Sequence, residues 1–244
     1  LIGELKQLGL KSFQLSIDGM YEFHDWLRKE YSFKETIKCF YLLNRLRIPT
    51  RARITAFSEN LGDIKSLIPL LVKLKVSSIG IVRGCSVGSF QKQQFKDISP
   101  SDFRNFLKSL LSIYKKYYME GTIFEFKDHL WFPFLVEEGY LDESMINMGN
   151  GKFLNSCSLF LDSIYITNGG QVLGCPKLPG FSYGDVLKEP LGLIFDNKTR
   201  LKELDSNNYS KCSGCNFKFN CMGCPAIAMG KNKNMLSPDP QCWQ

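Results

Sequence analysis

The chain has 244 residues, enough for one large domain or for a domain of about 150 residues with a smaller companion. Its 44% hydrophobic and 23% charged residues suit an ordinary globular protein, and no apolar run approaches the roughly 18 residues of a membrane span. The net charge of +7 is spread along the chain, with only Lys231 and Lys233 as a small cluster, so it implies a solvated surface rather than a nucleic-acid partner.

The first two-thirds reads as alternating strands and helices. Phe13 to Ile17 forms a short apolar strand ending at Asp18-Gly19. A helix follows from Ser32, with Ser32 and Glu35 as a capping box and Ile37, Phe40 and Leu43 on its apolar face. Pro49 interrupts it, and Arg51 to Ala56 is the next strand, with Arg51 and Arg53 on one face and Ala52 and Ile54 on the other. Ile64, Leu67, Leu71 and Leu74 mark a second helix, and Ser78 to Val82 a third strand. Ser101 is expected to cap a helix whose inner side carries Phe103, Phe106, Leu110, Ile113 and Tyr117. Ile123 to Phe126 completes the series as a fourth strand. Strands separated by helices imply βα units and a parallel sheet, and four strands are too few to close a barrel.

Beyond residue 130 the periodicity fades. Ser163 to Thr167, Asn168-Gly169-Gly170 and Gln171 to Leu173 predict a β-hairpin, the Asn-Gly pair supplying the positive φ angles of its turn. The rest is rich in Gly, Asn, Pro and Cys and buries little apolar surface, so bound metal is expected to supply much of its folding energy.

Of the nine cysteines, Cys39 and Cys85 stand alone. The other seven, Cys157, Cys175, Cys212, Cys215, Cys221, Cys224 and Cys242, crowd the last third. With no secretory signal in the first residues, a cytoplasmic protein with metal-binding or redox thiols is expected rather than a disulfide framework. Two chemistries compete. A single zinc held by Cys212, Cys215, Cys221 and Cys224 would make a zinc-stabilised binding module, but it leaves three thiols idle. Two iron–sulfur clusters use all seven, and the Cys224-Pro225 pair matches the cysteine–proline ending of bacterial ferredoxin runs.

The run from Cys157 through Gly170, Cys175, Cys212, Cys215, Cys221 and Cys224 to Cys242 resembles the SPASM domain of radical S-adenosylmethionine enzymes that modify peptides and proteins. It departs at one interval, two residues between Cys221 and Cys224 where that family has three. Upstream, Phe13-Gln14-Leu15-Ser16-Ile17-Asp18-Gly19 with His24-Asp25 and Arg28 is similar to the fourth barrel strand of these enzymes, and Ile81 to Gly88 to their sixth. The resemblance implies an α/β fold: the second half of a partial (β/α)6 radical S-adenosylmethionine barrel over 1–130, a linker over 131–156 and a Cys-rich SPASM domain with a β-hairpin over 157–244.

It implies two auxiliary [4Fe–4S] clusters, one on Cys157, Cys175 and Cys224 with an iron position left over, the other on Cys212, Cys215, Cys221 and Cys242. It implies that Ser16, with an arginine among Arg28, Arg51 and Arg53, contacts the carboxylate of S-adenosylmethionine. The CxxxCxxC loop of the S-adenosylmethionine-cleaving [4Fe–4S] cluster and the Gly-Gly-Glu stretch are missing, and the first three βα units are expected to precede Leu1. The implied activity is hydrogen abstraction by a 5′-deoxyadenosyl radical on a peptide or protein, with flavodoxin or ferredoxin as electron donor. A thioether or other crosslink is the expected product, with sulfatase maturation or quinone-cofactor maturation as alternatives. Sulfatase-maturing members carry an aspartate after the second SPASM cysteine, where this chain has Pro176.

The remaining candidates have plainer readings. His24-Asp25 reads as a structural pair at a helix start, and Cys39 as a core thiol. Cys85 follows a strand at the end where barrel enzymes place their chemistry.

Overall fold

A computed structural model describes residues 2–88, 90, 95–142, 164–196, 210–218 and 220–244. Two compact units divide the chain: 1–84 with 95–128, and 85–94 with 129–244.

The first unit is built on a four-stranded parallel sheet of β1 (Phe13–Ser16), β2 (Thr50–Ala56), β3 (Ser78–Arg83) and β4 (Ile123–Glu125), in the spatial order of the chain. Short helices α1 (Ile2–Gln7) and α2 (Tyr21–Leu27) accompany the crossover helices α3 (Ser32–Arg45), α4 (Leu61–Lys73) and α5 (Pro100–Tyr117). One sheet face and the helices share the core, where Ile17, Phe40, Leu43, Ile54, Ile64, Leu67, Leu71 and Ile79 lose all their exposure. The expected strands and crossover helices are all present.

Their ends differ from expectation, for reasons that lie in the caps. Helix α3 has no Ser32–Glu35 capping box; its N-cap is Tyr31, at φ 66°. Asp25 does the capping, accepting the backbone N–H groups of Tyr31 and Phe33, each at 2.6 Å, and the Ser32 hydroxyl at 3.3 Å. His24 and Asp25 therefore lie inside α2 and not at a helix start. Helix α5 begins two residues earlier than Ser101 implies: Ser99 accepts the Asp102 N–H at 3.0 Å, and Pro100, which has no N–H to satisfy, takes the first helical position. On α5, Leu107 and Tyr114 are buried with Phe103, Phe106 and Leu110, while Ile113 and Tyr117 are only half-buried.

The second unit carries α6 (Trp131–Glu137), an antiparallel sheet of β5 (Tyr165–Ile166), β6 (Gln171–Leu173) and β7 (Ser182–Asp185), then α7 (Leu191–Asp196) and α8 (Pro225–Asn232). Helix α6 occupies the start of the stretch expected to be a linker and buries Trp131, Phe132 and Phe134. The hairpin pairs Tyr165 with Leu173 and Ile166 with Val172. Its turn closes through the Gly170 N–H on the Thr167 carbonyl at 3.0 Å. Gly170 alone takes a positive φ, 84°, so Asn168-Gly169 is not the left-handed pair expected; the turn is one of ordinary hand followed by a glycine bulge.

Candidate metal centre

In the second unit, Cys212, Cys215, Cys221 and Cys242 line one cavity of about 370 Å³, together with Lys211, Phe217, Asp239 and others. Local structure gathers them in steps. Cys212 opens a single 3-10 turn, whose Cys212 carbonyl accepts the Cys215 N–H at 3.1 Å. Two residues on, the Phe217 N–H points at the Cys215 sulfur at 3.4 Å, an amide contact of the kind that stabilises a ligating thiolate. The Phe217 carbonyl then accepts the Cys221 N–H at 2.8 Å and turns the chain back.

Asp239 binds the remaining pieces. Only 4% exposed, it accepts the Cys224 N–H at 2.8 Å on Oδ2 and the Gln241 N–H at 3.0 Å on Oδ1, while its carbonyl accepts the Cys242 N–H at 3.0 Å. The shortened Cys221–Cys224 interval fits because Gly223 sits at φ 65° against Asp239, where an added Cβ would stand 2.6 Å from the Asp239 Cβ. Nothing in the cysteine spacing announces Asp239; the one available signal is an acidic residue three positions before the last cysteine.

The electrostatics suit a positively charged guest. Burial, then the neighbouring thiols of Cys242 and Cys215 and the Asp239 carboxylate, push the Cys212 thiol up to about 11. Burial foremost, with Asp239 and Cys215, also raises Cys242. Thiols crowded this way resist ionising beside one another, and a cationic inorganic centre that takes thiolates reverses the balance. Among the described residues no three His, Cys, Asp or Glu side chains converge tightly enough for a single metal ion. A zinc site would need four sulfurs at about 2.3 Å from one point, whereas an iron–sulfur cube presents a separate iron to each thiolate. The set that lines the cavity also contains Cys242 and omits Cys224, unlike the set a zinc ribbon would use. The donors therefore fit a four-iron cluster by number, type and enclosure.

Cys224 and Cys175 pack instead against a separate apolar cluster of Cys85, Leu178, Ala226 and Ile227. Burial raises the Cys175 thiol. Cys157 lies outside the described residues. None of the described cysteines forms a disulfide.

In the first unit the strand register sets Ser16 beside Arg53, Arg53 beside Gly80 and Gly80 beside Glu125, on the sheet face that also carries Gln14, Arg51 and Thr55. Arg53 Nη2 stands 3.4 Å from Glu125 Oε2 and 3.4 Å from Gln14 Oε1, and its buried Nη1 has no hydrogen-bond partner among the described residues. Gly80 leaves room for the guanidinium, which any Cβ there would strike. Burial would raise the Glu125 carboxyl, but the Ser78 hydroxyl, Arg53 and Lys127 together hold it below its ordinary value. Ser16 and Arg53 are thus brought together. Arg28 is not part of this row: its Nε donates to Asp18 Oδ2 at 2.6 Å.

Asp18, expected only to mark the end of the first strand, is a structural hub. It has no exposure; its Oδ1 accepts the Thr55 N–H at 2.8 Å and its carbonyl accepts the Asn60 amide at 2.6 Å. Its own N–H donates to His24 Nδ1 at 3.1 Å.

No family model matches the chain. A curated relative, the AdoMet-dependent heme synthase of Methanosarcina barkeri, is 22% identical over 248 residues, spanning 99% of this chain and 70% of that protein. Among solved structures, Streptococcus suis SuiB bound to S-adenosylmethionine superposes with a TM-score of 0.65 at 15% identity, over 95% of this chain and 53% of SuiB. Native anSMEcpe with bound AdoMet gives 0.68 at 14% identity, over 95% of this chain and 64% of its own. The chain thus spans about half to two-thirds of the solved proteins that share its fold.

Proposed function

Taking this chain as a protein of the radical S-adenosylmethionine type with SPASM cysteines, we propose that it is the cluster-bearing part of an enzyme that modifies a peptide. The observation that carries this reading is the convergence of Cys212, Cys215, Cys221 and Cys242 on one cavity. In this reading they ligate one auxiliary [4Fe–4S] cluster, and Cys175 and Cys224 contribute to a second together with Cys157. Such clusters supply electron acceptance and donation when bound. The chain's own part is to hold the thiolates and to limit water around them through Phe217 and Pro133. Asp239 keeps the ligand loops in register. Ser16 and Arg53 form the polar row that would meet the carboxylate of S-adenosylmethionine, the planar guanidinium being suited to a bidentate grip.

A peptide substrate is supported by the solved neighbours, SuiB having been seen with precursor peptide SuiA and anSMEcpe with Cp18Cys peptide. The relative matched over 99% of the chain is a heme synthase, which favours a tetrapyrrole substrate as the second reading. Anaerobic reconstitution of the chain tests the shared premise: about eight iron and eight sulfide per chain are expected. A colourless protein with one zinc would overturn it. Peptide and porphyrin titrations followed by cluster EPR then separate the two substrate readings.

A further inference from the structure

Resting on that two-cluster reading, we propose that Cys85 is the remaining thiolate ligand of the cluster bound by Cys175 and Cys224. By the resemblance this cluster draws on only three cysteines, one fewer than its irons. The fold brings a further thiol to the same place. Cys85 directly follows β3, yet it belongs to the compact unit that contains the clustered cysteines and not to the unit of the sheet. It is 4% exposed and forms one apolar cluster with Leu178, Ala226 and Ile227, and the side chains of Cys175 and Cys224 pack against that same cluster.

Two further contacts fix its position. The Cys85 sulfur lies 2.8 Å from the carbonyl oxygen of Ala226, two residues beyond Cys224. The Ser86 backbone is pressed against α8: a Cβ added to Gly230 would meet the Ser86 nitrogen and oxygen at 3.2 Å each. A hydrogen-bonded thiol is a weak donor and gains little from such enclosure. On ligation the Cys85 thiol gives its proton to solvent and a sulfur–iron bond replaces the contact with Ala226, with no change in the oxidation state of sulfur. Cys39, the other cysteine outside the cluster pattern, is half-buried on α3 in the first unit, whereas Cys85, Cys175 and Cys224 all belong to the second.

The test is anaerobic reconstitution of the wild type, Cys85→Val, Cys85→Ser and, as control, Cys39→Val, with iron analysis and EPR of each. Cys85→Val is expected to hold about one iron fewer per chain and to show a three-iron cluster signal. Cys85→Ser should keep that iron through its oxygen and give a shifted spectrum, and Cys39→Val should match the wild type. The undisturbed signal of the cluster on Cys212, Cys215, Cys221 and Cys242, with unchanged circular dichroism, shows that the variants are folded. Wild-type iron content and spectra in both Cys85 variants would overturn this assignment alone. An iron-free wild type would overturn the two-cluster reading and this assignment with it.

Discussion

His24 is 1% exposed and uses Nδ1 as an acceptor, so the fold requires its neutral form. Burial lowers its pKa, and the Arg28 guanidinium adds to that, against the opposing pull of Asp18 and Asp25. As pH falls through the ordinary histidine value of 6.5, the unfolded chain takes up a proton that the folded one refuses. Stability is full above that value and declines toward the lower folded pKa. Urea denaturation of His24→Gln from about pH 5 to about pH 7.5 should show a flatter pH dependence than the wild type. At Gly80 the constraint is steric: Gly80→Ala must displace the Arg53 guanidinium or the Glu125 carboxylate, at a cost of about 1–3 kcal/mol in the same assay. Arg53 is legible in the sequence as a strand residue that shares a face with Arg51, and Ser16 through the family resemblance; their adjacency comes from the strand register. Their neighbour Glu125 was not singled out, because only the strand register makes it one.

Among the elements, helix existence was easier to read than helix ends. The apolar period of α3, α4 and α5 follows from burial on one face, which local sequence records directly. Caps depend on which polar side chain reaches a loose N–H, and for α3 that side chain comes from the preceding helix. Asp25→Ala should therefore cost about 0.5–2 kcal/mol, read as a lower urea midpoint with an unchanged slope. Ser32→Ala, whose hydroxyl makes only the 3.3 Å contact with Asp25, should cost much less. The hairpin was legible because Gly170 and the flanking apolar pairs signal it. The hand of its turn was not, since Asn-Gly serves more than one turn type.

For the whole molecule, the two compact units differ in what holds them. The sheet unit rests on a continuous apolar core, while the described residues of 210–244 carry the short helix α8 and the 3-10 turn at Cys212 and draw their hydrogen bonds largely from turns. If thiolate–metal bonds supply the missing free energy, stripping the reconstituted protein with an iron chelator should sharply increase amide hydrogen exchange across 210–244 and leave β1 to β4 protected. Uniform exchange before and after chelation would contradict this. The candidate site was largely legible from cysteine spacing, since Cys212, Cys215 and Cys221 are sequence neighbours. Cys242 came only with the family resemblance, and the structure lines the cavity with all four.

Asp239 accepts the backbone N–H groups of both Cys224 and Cys242, which the proposed assignment places in different ligand sets. On the two-cluster reading, ordering Asp239 for one cluster also orders the backbone beside the other, so concerted filling is expected. Native mass spectrometry during limited iron supply should find mostly empty and doubly loaded chains, with few singly loaded ones. Asp239→Asn, which keeps the size but weakens the anionic acceptor, should let the half-filled species accumulate.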